Sequence, residues 1–117
     1  MIQRTSETDF EADVLAADCV VLANFWVGWS DECRRMRLLM EALDRLIGQF
    51  IRIVAIDCEK NQALTTEFGV HGVPTLLIFE NGRVVNRFSG MVTAEEIRPE
   101  LAQSVAEKLD HQSGPSS

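Results

Sequence analysis

Residues 19–27 read CVVLANFWV, and no other stretch limits the possible folds as sharply. A strand with one face in water alternates apolar and polar side chains. This run is apolar at nearly every position and rich in valine and aromatic residues, the pattern of a strand covered on both faces. It belongs at the centre of a sheet, and the flanking segments supply the helices to cover it. From Ser30 to about Ile47, apolar residues recur at helical spacing at Met36, Leu39, Met40, Leu43 and Leu46, with charges between them and Gly48 as a C-cap. Upstream, SETDFEADVLAAD opens on capping residues and carries Phe10, Val14 and Ala17 on one helical stripe.

The remainder continues the alternation. FIRIVAID reads as a second buried strand, NQALTTEFG as a short helix ending at Gly69, and TLLIF as a strand opening just after Pro74. Asn81-Gly82 is a strong hairpin signal and pairs TLLIF with RVVNRF. A last amphipathic helix runs from Thr93, followed by Glu95 and Glu96, to Leu109, with Pro99 kinking it or delaying its start. Residues 1–109 form a single domain. Residues 110–117, DHQSGPSS, form a disordered tail whose end is linker-like and packs nothing. This order of elements predicts an α/β fold: a three-layer α/β/α sandwich on a mixed central sheet of four to five strands.

Charge and cysteine usage narrow the function. With 18 acidic against 11 basic side chains and a net charge of −7, the chain lacks the basic face that nucleic acid requires. The N-terminus has no apolar core of signal-peptide length, and the longest apolar run falls far short of a bilayer, so neither a secretion leader nor a membrane partner is expected. Cys19, Cys33 and Cys58 are odd in number and widely spaced, which fits neither a disulfide framework nor a zinc quartet and predicts a reducing, cytoplasmic setting with no metal or cofactor.

VVLANFWVGWSDEC, GVPTLLIFENG about forty residues later, and FSG before the last helix together resemble the thioredoxin family over roughly residues 2–109. The resemblance implies the thioredoxin fold and sets the family's Trp-Cys-Gly-Pro-Cys window on Trp29, Ser30, Asp31, Glu32 and Cys33. Ser30 thus stands where the attacking cysteine belongs. Thiol–disulfide exchange needs a thiolate to attack and a second thiol to resolve the mixed disulfide, and serine can do neither. Followed by Asp31 and Glu32, Ser30 is an apt helix N-cap. Cys33 keeps the place of the resolving sulfur. Its expected role is inert packing, beside carboxylates that repel an anionic thiol such as glutathione; exposure to a partner thiol is the alternative.

Further departures point the same way. The family's buried aspartate falls on Asn24, which takes up no proton, and the lysine beside it on the next strand falls on Ile53. The proline inside the second helix falls on Leu38, so that helix should be straighter. Shedding a costly buried pair along with the sulfur suits a chain that no longer transfers the proton, so Ser30 reads as natural. The resemblance also assigns a peptide-gripping collar to Trp29, to the cis-proline loop Gly72-Val73-Pro74 and to Gly90-Met91, where an extended segment would pair with the Val73 backbone.

The function expected from these residues is a module that binds a protein or extended peptide, or is chaperone-like, and has lost dithiol reductase activity. Some thioredoxin-like co-chaperones carry a Ser-x-x-Cys window, usually with helical repeats absent here. The alternative is a weak or single-thiol oxidoreductase working through Cys33 or Cys58. Trp26 reads as packing, His71 as a solvated loop residue, Cys58 and Cys19 as semi-buried fillers, and Arg34, Arg35 and Arg37 as a solvated helix face paired with acids such as Glu41.

Overall fold

The computed structural model describes residues 2–112. Its central strand is β2, Val20–Trp26, buried along its whole length except for the half-buried Trp26. β2 pairs in parallel with β3, Ile51–Asp57, in a register that sets Asn24 opposite Ala55 and Trp26 opposite Asp57. On its other side it pairs antiparallel with β4, Thr75–Glu80, with Phe25 opposite Thr75. β5, Arg83–Ser89, closes one edge and β1, Gln3–Arg4, the other, giving the order β1-β3-β2-β4-β5 in a mixed sheet of five strands. The β4–β5 turn places both Asn81 (φ 52°) and Gly82 (φ 80°) in the left-handed region, as a tight hairpin of matching twist demands.

Helices cover both faces. α1, Asp31–Ile47, and α3, Ala94–Gln112, bury Met36, Met40, Leu43, Ile97 and Leu101 against one face of the sheet, together with Leu22, Ile53, Leu76 and Ile78. α2, Gln62–Glu67, and the N-terminal segment cover the other face, where Phe10, Phe68 and Phe79 meet at centroid distances of 5.4 to 5.8 Å.

Several boundaries differ from the sequence expectation. The first helix shrinks to one π-helical segment, Glu11–Leu15, in which the Ala16 N–H donates to the Glu11 carbonyl at 2.7 Å. Its stripe survives, since Phe10, Val14 and Ala17 are all buried. Leu46, by contrast, is exposed. Thr93 and Glu96 form a reciprocal capping box, so Pro99 delays nothing and lies inside α3. α3 carries on through residues 110–112, the first three of the expected tail, and the rest of that tail, residues 113–117, lies outside the described residues.

Polar side chains lock the N-terminal segment to this frame. The Glu7 N–H donates to the Asn61 side chain at 3.0 Å, and the Glu7 carboxylate accepts the Ala63 N–H at 2.8 Å, so a distant acid caps the start of α2.

Candidate functional site

β2 and β3 run parallel and end side by side, and the candidate site residues gather beyond those ends. Four residues, Val27 to Ser30, carry the chain from β2 into α1. Ser30 is extended (φ −94°, ψ 125°), and its hydroxyl accepts the Cys33 N–H at 3.1 Å, the bond of an N-cap. That hydroxyl holds the first turn of α1 and so fixes where Cys33 points. Asp31 pairs with Arg34 on the helix surface. Cys33 is 4% exposed and belongs to the apolar cluster that also holds Val27, Phe25 and Cys58.

Cys33 also borders open space. A cavity of about 420 Å³ lies between α1 and the sheet, lined by Asn24, Trp26, Cys33, Arg34, Arg37 and Ala55 among others. Two buried polar atoms at its wall have no hydrogen-bond partner: the Asn24 side-chain oxygen and the Trp26 indole nitrogen. The Arg4 guanidinium sits 5.7 Å from the centre of the Trp26 ring. Trp26 thus packs against the apolar cluster, as expected, and also walls the cavity. The residue beside Asn24 on β3 is Ala55, not Ile53, which pairs with Leu22. Both β3 positions are apolar, so neither sets a lysine next to Asn24. Asn24 was visible as the one polar residue in an apolar strand, but the cavity it faces was not.

The other candidates gather at the same end of the sheet. Trp29 is 69% exposed and its indole donates to Glu59 at 3.2 Å, so it is displayed rather than packed. The Val73–Pro74 peptide is cis. The Thr75 hydroxyl donates to the Gly72 carbonyl at 2.6 Å, and the Gly90 N–H to the Pro74 carbonyl at 2.8 Å, which ties the Gly90-Met91 turn to the proline loop. Gly90 has φ 90°, open to glycine and costly for other residues. Met91 is exposed and Val73 half-buried.

Cys58 is the first residue past β3, and its N–H donates to the Trp26 carbonyl at 2.9 Å. Burial pushes its thiol above the ordinary value. Asp57 and Cys33 add to the rise, while a hydrogen bond with Thr65 and one with the Trp26 backbone oppose it. Cys19 stands at the opposite end of β2, and His71 is exposed on the loop before Gly72. Arg37 pairs with Glu41 at 3.7 Å along the exposed face of α1. Among the described residues no cluster of histidine, cysteine and carboxylate side chains could hold a metal ion, and no helix is long and apolar enough to cross a membrane.

The family model described as Thioredoxin matches residues 1–103. The thioredoxin of Bacillus subtilis (strain 168) is 33% identical over 97 residues, covering 83% of this chain and 91% of that protein. The thioredoxin of Streptomyces clavuligerus is 34% identical over 90 residues, covering 77% and 83%. That of Haemophilus influenzae is 36% identical over 83 residues, covering 68% and 75%. These relatives overturn the expectation of a redox-inactive binding module: they are thioredoxins, redox-active proteins, and they favour an oxidoreductase that retains thiol chemistry. That expectation rested on Ser30, Asn24 and Ile53 together, departures that leave the sulfur of Cys33 in place.

Proposed function

We propose, because this chain belongs to the thioredoxin family, that it is a thioredoxin-like thiol–disulfide oxidoreductase whose working sulfur is Cys33. The observation that supports this reading is the position of Cys33, in the first turn of α1 and at the wall of the cavity, so that one sulfur is both held by a capped helix and bordered by open space. The chemistry is attack of Cys33 on a disulfide of a protein or extended peptide. The collar of Trp29, Gly72, Val73, Pro74, Gly90 and Met91 grips that substrate, its apolar side chains supplying contact area and the Val73 backbone a strand-like edge. Ser30 acts only on the helix. Its hydroxyl stays protonated at neutral pH and accepts the Cys33 N–H. Three free cysteines suit a reducing compartment, in which we place the protein's work in the cytoplasm.

The test is turnover of insulin disulfides with dithiothreitol as reductant, using the wild-type chain, Cys33→Ser and Cys19→Ser. Turnover above the background of dithiothreitol alone is expected from wild type and Cys19→Ser and is lost in Cys33→Ser. Equal rates for Cys33→Ser and wild type overturn the assignment.

A further inference from the structure

A mixed disulfide on Cys33 has to be resolved, and position 30 offers no sulfur. The parallel pairing of β2 and β3 brings another one to the same place. Cys58 directly follows Asp57, which is opposite Trp26, so Cys58 is level with Val27 at the root of the loop that delivers Cys33. The backbone bond from Cys58 to Trp26 fixes that level. Side chains alternate along β3, and Cys58 falls on the face of Val54 and Ile56, the face whose apolar cluster also contains Cys33. Cys33 meets this cluster on one side and the cavity on the other.

Building on the assignment of Cys33 above, we propose that Cys33 and Cys58 form the redox pair of this protein, with Cys58 taking the resolving role across the strand ends that a neighbouring window cysteine would otherwise hold. The Cys33 thiolate attacks one sulfur of a substrate disulfide. A Cys33–substrate S–S bond forms, the substrate S–S bond breaks, and the departing thiolate takes a proton from solvent. The Cys58 thiolate then attacks the Cys33 sulfur. The Cys33–Cys58 bond forms and the second substrate thiolate leaves, so the substrate gains two electrons and the pair loses two. A dithiol reductant returns the pair to its reduced form.

The electrostatics agree with this placement. Cys33 is among the groups that act on the Cys58 thiol, and burial, Asp57 and Cys33 together raise that thiol against the opposing Thr65 and Trp26 hydrogen bonds. Resolution is therefore slowed at neutral pH and quickens in alkaline solution, where more Cys58 thiolate is present.

The experiment exposes the reduced full-length chain to excess bis(2-hydroxyethyl) disulfide, quenches it with acid and alkylator, and maps the peptides by mass spectrometry. The wild type is expected to lose two of its three alkylatable thiols, to carry no stable hydroxyethylthio adduct, and to yield the Cys33 peptide joined to the Cys58 peptide. Cys58→Ala, checked for folding by circular dichroism, is expected to accumulate the adduct on Cys33. A wild-type chain that keeps the adduct on Cys33 overturns the role of Cys58 and leaves Cys33 as a single working thiol. A chain modified on Cys58 with Cys33 free, or one in which Cys33 never reacts, overturns the assignment of Cys33 and the pair with it. The wild-type map decides even if the variant fails to fold.

Discussion

Asn24 holds a side-chain oxygen in the interior with no donor to meet it, 4% exposed and facing the cavity beside Cys33. An unpartnered buried acceptor costs about 1–3 kcal/mol, and a charge there costs more. Asn24→Asp should therefore show a carboxyl pKa above the usual range, because burial disfavours its charged form. A raised carboxyl binds more protons folded than unfolded, so the variant's stability falls as pH rises through the ordinary carboxylate range. Urea unfolding is expected to show Asn24→Asp close to wild type near pH 4 and weaker by roughly 2 kcal/mol or more at pH 7. Equal stability at both pH values would mean the group is solvated or paired. Cys58 offers a second reading at this scale: its alkylation by iodoacetamide should be slow at neutral pH and rise with a midpoint above the ordinary thiol value, as its burial requires. Trp29 offers a third. Trp29→Ala should raise KM for insulin while leaving exchange with a small disulfide unchanged, since the exposed indole can grip only a substrate large enough to reach it. Equal loss with both substrates would place Trp29 at the chemistry instead of the collar.

The elements show which features a sequence carries and which it does not. α1 depends on Ser30 for its first turn, and Ser30→Ala should cost about 1 kcal/mol in urea unfolding, the usual worth of an N-cap. Loss of much less than that would mean water replaces the hydroxyl. This cap could be read from Ser30, Asp31 and Glu32 because capping is local. So could the hairpin at Asn81-Gly82 and the box at Thr93 and Glu96, each set by residues no more than three apart. β1 could not, because it is two exposed residues whose only strand signature is their register with Val54 and Ala55. Nor could the π-helical form of Glu11–Leu15, since Phe10, Val14 and Ala17 bury one face whether the turn closes over four residues or five. In the site, Ser30 and Cys33 were visible by spacing, whereas the cavity and the meeting of Cys33 with Cys58 depend on strands brought together across 25 residues of chain.

Across the whole molecule, the two faces of the sheet carry separate clusters, and Cys33 stands where they approach each other beyond the strand ends. Joining Cys33 to Cys58 would close a loop spanning α1 and β3, for which chain-entropy reasoning gives about 3 kcal/mol of added stability, less any strain. Oxidised protein should accordingly unfold at higher urea than reduced protein, and Cys58→Ala should show no such difference. A pair that forms but adds nothing would point to strain in the closed form. β2 carries a further consequence. It lies between β3 and β4, yet it is translated before both. On the ribosome, the nascent chain can lay β3 along one side of β2 as soon as α1 has emerged, but the other side has no partner until Thr75–Glu80 is made. During that interval a strand apolar at every position but Asn24 presents a bare edge to other nascent chains, so crowding among translating ribosomes is most hazardous between the emergence of β3 and that of β4.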